Sequence, residues 1–341
     1  MVTMRTTSDE LLTAEQARRG GVVASVQLGD GAAIRLGTGP RSPKVGGGRA
    51  IELRTDDEID AIRAAAVVAR TAVEAALRCA VAGATPASLA SIVSGVIAAA
   101  RAESLVQNLP AESPEAVGMT FPSPCCISVN DRLIHAVPTE EPLRDGDVVT
   151  VDVAVRLGGW CADVADCVIV GRGDSRTQTM VNGCREMLEK AVSMIAPGVR
   201  WSAVAAEMQA IAQARSLGLV TGFAGHGVGR ALHEAPMAPC GLDREFVSHG
   251  DFTLLPSMVL SVEPTVVSRS DGIRSVDADG FAIGCRLVRC TDGWTMRTAS
   301  GAPGCAVERT VVVTRSGCEV LDEPKATAHG QVELPARGVH G

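Results

Sequence analysis

One segment constrains the fold more than any other: VTVDVAVRLGGWCADVADCVIV, residues 149–170, in which Leu-Gly-Gly joins two runs rich in β-branched residues. This pattern predicts a β-hairpin. If the turn has two residues, Leu157 and Gly158, then Asp152 lies directly opposite Asp163 on one face of the hairpin. Like charges opposed in this way repel each other, and the surrounding valines indicate a buried face. A cation between the carboxylates reverses the sign of the interaction. Two aspartates on a solvated face, or a bulge that changes the register, are the alternatives.

Length and composition limit the remaining possibilities. The chain has 341 residues, enough for one large domain or two of moderate size, and a formal net charge of −7. No basic stretch is typical of a nucleic-acid surface, so we expect no DNA partner. No apolar run reaches the length of a membrane span, the N-terminus lacks the apolar core of a secretory signal, and the eleven cysteines include no CxxC pair. We therefore expect a cytoplasmic protein with reduced thiols and no membrane contact.

Turn and linker composition divides the chain into three parts. The stretch GTGPRSPKVGGGR offers little to bury, so we expect residues 1–49 to form a flexible N-terminal extension. Residues 50–322 alternate helical and strand patterns and are predicted to form the folded domain. Residues 323–341 are predicted to form a C-terminal tail.

Four helices are predicted within the folded domain. A capping box, TDDE at residues 55–58, begins the first helix. Its expected apolar face consists of Ile59, Ile62, Ala66, Val73 and Leu77. The second helix begins at Thr85 with a proline in its first turn. The third is expected near residues 176–195, and Ser202 is predicted to be the N-cap of the fourth.

The order of helices and strands occurs twice. An offset of 115 residues aligns Gly83 with Gly198 and Val93 with Met208, although residue identity is low. The first helix pair is followed by the strand-like runs CCISV, DVVTVDVAV and CADVADCVIV, and the second by MVLSVEPTVV, FAIGCRLVRC and AVERTVVVT. We therefore predict an α+β fold of two similar halves, each with two helices and antiparallel strands, around a central cleft that suits a binding site.

Candidate metal ligands occur in both halves. They are Asp152 and Asp163 in the hairpin, His226 in the glycine-rich GHGVG loop, Glu263 at the end of an apolar strand and Glu308 within a β-branched run. Two Asp, two Glu and one His form an oxygen-rich set that suits two divalent ions bridged by carboxylates better than a structural zinc site. His135 and His233 remain available to move protons or to hold a substrate carbonyl. Taken alone, His226 or His233 is more commonly a structural residue than a ligand.

The ordered motifs FPSPCCISVNDRLIHAVP, DGDVVTVDVAVRLGGWCADVADCVIVG, GHGVGRALHEAP, VLSVEPTVV, DGWTMRT and VERTVVVTRSGCEVL resemble those of type I methionine aminopeptidases, over residues 50–322. The resemblance implies the pita-bread fold and dinuclear-metal hydrolysis that removes the initiator methionine when the second residue is small. It does not select among Co, Mn, Fe and Zn. Peptide and nascent-protein N-termini are the expected partners, with the ribosome as a further candidate, and the protein is expected to be a monomer.

The resemblance also implies a role for each matching residue. The five metal ligands would be Asp152, Asp163, His226, Glu263 and Glu308. Asp163 and Glu308 would bridge both ions, and Glu263 would also shuttle the proton of the attacking water. His233 would hydrogen-bond the scissile carbonyl, and His135 would contact the scissile amide nitrogen. The pocket for the methionine side chain would be lined by Phe121, Cys126, Leu232 and Trp294.

Several positions depart from the family pattern. Ala306 and Arg309 stand where a glutamine and a histidine usually flank the last ligand, and Leu232 replaces a common aromatic residue. If Glu308 faces the metals, Ala306 shares its face and Arg309 does not. The segment 266–292 is longer than expected, and FAIGCRLVRC within it could form an extra hairpin beside the tryptophan of DGWTMRT.

Two alternative functions remain open. An Xaa-Pro peptidase on the same fold is slightly favoured by Arg309, but GHGVGRALHEAP and DGWTMRT match the methionine enzymes better. A non-catalytic binding protein on this fold should have lost ligands, whereas every candidate ligand is present. Cys125 and Cys126 are more plausible as small buried hydrophobic residues than as nucleophiles.

Overall fold

The structure, a computed structural model, describes residues 24–27, 33–36, 51–111, 116–269 and 276–323. The helices are α1 (Asp56–Arg78), α2 (Pro86–Ala99), α3 (Ser175–Met194) and α4 (Trp201–Ala214). The strands are β1 (Ala24–Gln27), β2 (Ala33–Leu36), β3 (Ile51–Glu52), β4 (Glu103–Ser104), β5 (Cys126–Val129), β6 (Arg132–Ile134), β7 (Val148–Leu157), β8 (Trp160–Ile169), β9 (Leu217–Leu219), β10 (Gly225–Gly227), β11 (Glu234–Ala238), β12 (Val259–Val262), β13 (Thr265–Ser268), β14 (Leu287–Arg289), β15 (Met296–Thr298), β16 (Gly304–Ala306), β17 (Arg309–Val313) and β18 (Cys318–Val320).

The predicted N-terminal extension and C-terminal tail lie mostly outside the described residues. Strands β1 and β2 fall within the extension and form an antiparallel pair, and β2 pairs in parallel with β3 at the start of the folded domain. The flexibility expected of residues 1–49 stays a prediction.

The first half packs α1 and α2 against one sheet. Strand β7 pairs along one edge with β8 and along the other with β5 and β4. The predicted capping box is confirmed, because Thr55 accepts a hydrogen bond from the Glu58 amide and the Glu58 carboxylate accepts one from the Thr55 amide. The face of α1 that lies on the sheet is rich in fully buried small residues: Ala65, Ala66, Ala69, Ala72 and Ala76. These short side chains let the helix approach β7 and β8 closely.

The second half packs α3 and α4 against two further sheets. One has the order β16-β13-β9 and the other β11-β10-β12-β17-β18. Helix α3 contacts β13, β16 and β18, whereas α4 lies against β9. The largest buried residues of this core include Trp201, Met180, Met187 and Met208. The predicted architecture of two α+β halves is confirmed.

The weak sequence repeat corresponds to a structural one. Helices α2 and α4 begin and end at positions separated by the predicted offset of 115 residues. Each helix is preceded by a glycine with a left-handed backbone, Gly83 at φ 89° and Gly198 at φ 86°. The aligned residues Val93 and Met208 are both fully buried.

The predicted N-cap of α4 is wrong by two residues. The helix begins at Trp201, and its N-cap Arg200 forms no side-chain capping bond. A distant acid takes over the capping role: the Asp251 carboxylate accepts a hydrogen bond from the Ser202 amide at 3.0 Å and one from Arg200 Nε at 2.8 Å. A tertiary contact therefore satisfies the helix end that a local serine was expected to satisfy.

The predicted hairpin is confirmed, but its predicted register is wrong. The turn residues are Gly158 and Gly159, with φ of 58° and 81°, so that Asp152 pairs with Ala165 and Ala154 pairs with Asp163. A tight hairpin turn requires positive φ at both central positions, which glycine adopts without strain and leucine does not. The two aspartates still share one face, but as diagonal neighbours and not directly opposed.

The long segment after β13 forms less strand than its sequence indicated. Within FAIGCRLVRC, residues 287–289 form β14, which pairs with β15 in a hairpin whose connection carries Trp294. Residues 276 and 282 form an isolated bridge, and residues 270–275 lie outside the described part.

One backbone bridge between the two halves positions the site. The Glu308 amide donates to the Ala165 carbonyl at 2.8 Å, which joins β8 of the first half to the start of β17 in the second. Among the described residues, no helix is both long enough and apolar enough to cross a lipid bilayer.

Candidate metal centre

Asp163 is held by the neighbouring strand. The hydroxyl of Thr310 donates to the Asp163 carbonyl at 2.8 Å, and the Asp163 amide lies 3.2 Å from the same hydroxyl oxygen. Asp163 is only 7% exposed, and its Oδ1 is buried without a hydrogen-bond partner among the described atoms. A buried carboxylate oxygen in that state is unstable unless a cation contacts it.

Glu308 approaches the same space from β17. Its backbone is fixed by the bridge to Ala165, and its carboxylate accepts a hydrogen bond from the Ser261 hydroxyl. Glu308 and Ser261 are both buried, at 4% and 0% exposure. Ser261 therefore orients the Glu308 carboxylate toward the interior and leaves its second oxygen available to bind a cation.

His226 lies at the centre of β10 with glycine on either side. Its Nδ1 is 3.1 Å from the Gly227 carbonyl, so Nδ1 carries the proton and Nε2 is free to bind a cation. A Cβ atom at Gly225 would collide with the Ser261 carbonyl, and one at Gly227 with the Ala235 carbonyl. The glycines of the GHGVG motif therefore allow neighbouring strands to approach the histidine closely.

These side chains converge on one point. Ligand atoms of Asp163, His226 and Glu308 all lie within 4.8 Å of one another. Glu263 Oε1 is 3.8 Å from His226 Nε2, and Asp152 is the diagonal neighbour of Asp163 on the same face of the hairpin. The structure thus brings together all five residues that the sequence indicated as ligands.

The electrostatics of this cluster favour a bound cation. Burial raises the pKa of Asp152 to about 6 and that of Glu263 to about 8, and the charge of Asp152 adds to the shift at Glu263. Burial and then mutual repulsion raise the pKa of Asp163 and of Glu308 well above their ordinary values. Within the described residues, no arginine or lysine forms an ion pair with any of the four acids. Oxygen-rich donors with one imidazole fit divalent cations.

The two remaining histidines occupy different positions. The ring of His233 lies 4.3 Å from that of His226, and partial desolvation lowers the pKa of His233. Burial, and then the neighbouring His233, lower the pKa of His226 to about 4. His135 is exposed, has a left-handed backbone at φ 52°, and contacts the ring of Phe223 at 5.6 Å.

Two of the four predicted pocket residues contact each other. Phe121, which is 2% exposed, meets Trp294 edge to face with ring centroids 5.7 Å apart. Cys126 is buried and is the β5 register partner of Asp152, and Leu232 is half-buried. Burial raises the pKa of Cys126 well above that of an ordinary thiol, which makes it a poor nucleophile.

Three residues of the site were not identified from the sequence. Ser261 and Thr310 each lie two positions from a candidate ligand on the same strand, so strand alternation could have indicated them. Phe223, which contacts His135, follows a Thr-Gly pair and carries no comparable signal.

Comparisons with known proteins agree with this geometry. Residues 60–315 match metallopeptidase family M24. The methionine aminopeptidase of Treponema pallidum is 34% identical over 206 residues, which cover 60% of this chain and 73% of that protein. The Escherichia coli K12 enzyme of the same name is 31% identical over 202 residues, 59% of this chain and 70% of that protein.

Solved structures give the same result for the fold. A methionine aminopeptidase from Thermotoga maritima superposes with a TM-score of 0.69 at 29% identity, covering 80% of this chain and 99% of that one. A prolidase from Pyrococcus furiosus, at 19% identity and a TM-score of 0.56 over 80% of this chain and 66% of that one, shares the fold. The expected pita-bread architecture is confirmed.

Proposed function

The chain belongs to metallopeptidase family M24, and from this premise we propose that it is a methionine aminopeptidase. It would remove the N-terminal methionine from peptides and nascent proteins whose second residue is small. The observation that carries the proposal is the cluster of four acids and one histidine, in which no acid forms an ion pair with an arginine or lysine of the described part of the chain. The similarity to methionine aminopeptidases at 31–34% identity supports the choice of substrate.

In this proposal the cluster holds two divalent ions. The residues that would hold them are Asp152, Asp163, His226, Glu263 and Glu308, and Asp163 and Glu308 would contribute to both ions. Co, Mn, Fe and Zn all suit this donor set, and availability selects among them. When bound, the ions polarise the scissile carbonyl and lower the pKa of the attacking water.

Glu263 is suited to accept the proton of the attacking water. Its side chain is 25% exposed, so water reaches it, whereas Asp163 and Glu308 are buried. Proton transfer by a carboxylate in this position requires both a contact with water and a pKa close to the working pH. The proton would then pass from Glu263 to the leaving amine.

His233 and His135 act on the substrate and not on the ions. His233 lies beside His226 at the exposed side of the cluster, and partial burial lowers its pKa. The protonated nitrogen of its ring can donate a hydrogen bond to the scissile carbonyl. His135, which directly follows β6, would contact the scissile amide nitrogen.

The methionine side chain would occupy an apolar pocket. Phe121 and Trp294 supply two aromatic faces, and Cys126 and Leu232 supply the smaller walls. A flexible thioether gains favourable contacts with aromatic rings, which suits methionine over a charged side chain. We place the activity in the cytoplasm of the cell, where the eleven free thiols of the chain would stay reduced.

The test is peptide cleavage by metal-free protein supplied in turn with Mn, Fe, Co or Zn. The panel is Met-Ala-Ser, Leu-Ala-Ser, Met-Lys-Ser and Ala-Pro-Ala. The proposal predicts metal-dependent release of methionine from Met-Ala-Ser alone. Cleavage of Ala-Pro-Ala would instead assign an Xaa-Pro peptidase activity, and absence of cleavage with every metal would contradict the enzymatic proposal.

A further inference from the structure

Arg309 directly follows a proposed metal ligand but faces away from the metal centre. Successive residues of a strand face opposite sides, so Asp163 and Glu308 face the centre while Asp166 and Arg309 face the helices. The bridge between Glu308 and Ala165 holds the two strands side by side at this point.

The guanidinium group of Arg309 binds both strands at once. Its Nη1 donates to the Glu308 carbonyl at 2.8 Å and to the Ala165 carbonyl at 3.2 Å. Its Nη2 donates to Asp166 at 3.1 Å, and its Nε lies 3.2 Å from the Asp322 carboxylate. The side chain is 17% exposed, so these contacts are largely shielded from water.

The backbone of Ala165 is linked directly to three proposed ligands. It is the register partner of Asp152 in the hairpin, it lies two positions after Asp163, and its carbonyl accepts the amide of Glu308. A shift of the Ala165 carbonyl would therefore move carboxylates on β7, β8 and β17 relative to one another. Arg309 is the side chain that contacts this carbonyl directly.

Asp166 fixes the other end of the guanidinium. Its carboxylate accepts from Arg70 of α1 at 2.9 Å and from Arg185 of α3 at 3.3 Å. One helix from each half therefore anchors Asp166, and Asp166 anchors Arg309. The position of the metal-facing strands is in this way tied to the packing of both halves.

We propose that Arg309 is a positioning residue that sets the spacing of the metal ligands by holding the Ala165 and Glu308 carbonyls against Asp166. The proposal rests on the ligand set of the proposed function. Only arginine presents several donors in one rigid plane, whereas lysine offers a single compact charge that cannot reach all of these acceptors. Removal of a residue that hydrogen-bonds to a metal ligand typically weakens metal binding by about 10–100-fold.

The test measures metal affinity and not turnover. Metal-free wild-type protein, Arg309→Met and Arg309→Lys are titrated with Mn²⁺ by calorimetry, at a temperature where circular dichroism shows each protein to be folded. We expect Arg309→Met to weaken Mn²⁺ binding by about 10–100-fold. Arg309→Lys keeps the charge and is expected to weaken binding in the same direction by a smaller factor.

Arg63→Met is the matched control. Arg63 is also a buried arginine, with a side chain 9% exposed and an ion pair to Glu319 at 2.9 Å, but it contacts no proposed ligand. We expect this variant to lower the Tm while its Mn²⁺ affinity stays within about twofold of wild type, as for sites that do not share partners.

The outcomes separate this inference from the proposed function. Unchanged Mn²⁺ affinity in folded Arg309→Met would overturn the positioning role, and so would an equal loss of affinity in Arg63→Met and Arg309→Met. A wild-type protein that binds no Mn²⁺ would instead contradict the metal centre itself.

Discussion

Two groups of acids meet at β8, whose Asp163 and Asp166 face opposite sides, and the two groups differ in their partners. The metal-facing group consists of Asp152, Asp163, Glu263 and Glu308. The helix-facing group consists of Asp166 and Asp322, and it contains three arginine partners: Arg70, Arg185 and Arg309. Among the described residues, arginines therefore form ion pairs with the helix-facing acids and not with the metal-facing acids.

The pKa values of Asp163 and Asp166 follow this division. Burial, with repulsion from Asp152, raises the pKa of Asp163 well above its ordinary value. Burial opposes ionisation of Asp166 as well, yet Arg309 and Arg70 outweigh it and the pKa of Asp166 is lowered. Asp322 is intermediate, because burial outweighs its arginines and raises its pKa to about 6. Asp163 and Asp166 thus have pKa values shifted in opposite directions, because their side chains face opposite sides of β8.

The largest expected effect comes from Asp163→Asn, which removes one acid of the metal-facing group. Metal binding should be lost, and methionine release should fall by at least about 10³-fold, since activation of water depends on the ions. The metal-free variant should be more stable than metal-free wild type, because asparagine is neutral without the proton that buried Asp163 must bind to become so. Metal content and thermal unfolding measure the two effects, and a variant that retains both ions and activity would contradict the ligand assignment.

The same substitution on the other face should have the opposite effect on stability. Asp166→Asn leaves three arginines without their shared acid. We expect the free energy of unfolding to fall by about 3 kcal/mol, the lower end for breaking a buried pair, because Arg185 reaches solvent. Urea unfolding of the metal-free protein measures the change. Equal signs for Asp163→Asn and Asp166→Asn would remove the distinction between the two groups.

Substitution of His233 tests whether the set of metal ligands is limited to the five proposed residues. It lies beside His226 but outside the proposed ligand set. His233→Ala should keep both ions and lower kcat by about a hundredfold, a typical cost of losing one residue that contacts the reacting groups. Loss of metal in this variant would show that His233 is a ligand and that the group is larger than proposed.

The smallest effect is a pH dependence of stability that differs with metal content. Glu263 and Asp152 have pKa values raised to about 8 and about 6, so the folded chain keeps protons that the unfolded chain has released. The stability of the metal-free protein should therefore fall as pH rises from about 4 to about 8. The lowered pKa of Asp166 acts in the opposite sense, since its contribution is lost as pH falls below about 4.

Bound Mn²⁺ should reverse this slope between about pH 5 and about pH 8, because the ions replace the protons on the metal-facing acids. Thermal unfolding of metal-free and Mn²⁺-loaded protein across that range measures both slopes. Parallel slopes would indicate that the ions do not bind to these carboxylates.

Much of the fold could be predicted from local chemistry. The capping box at Thr55 and the Thr85-Pro86 start locate α1 and α2, because these signals act within a few residues. The 115-residue offset matches the bounds of α4, although the N-cap predicted for this helix, Ser202, is wrong. The four acids among the candidate ligands could also be identified from the sequence, since acids within β-branched runs need partners.

The remaining features depend on tertiary contacts. The register is an exception that local turn chemistry could have decided, since Gly158 and Gly159 both adopt positive φ without strain and Leu157 does not. The cap of α4 comes from Asp251, far along the chain. The importance of Asp166 follows from arginines on two helices whose packing the sequence does not specify. Strand alternation could have indicated only that Asp166 faces away from Asp163.

The most direct test of the account is calorimetric titration of metal-free wild-type protein and Asp163→Asn with Mn²⁺, with the Tm followed in parallel. The account predicts two ions per wild-type chain, a rise in Tm on binding, and loss of binding in Asp163→Asn. Wild-type protein that binds no ion, or a variant that binds as wild type does, would contradict the claim that the metal-facing acids are neutralised by metal.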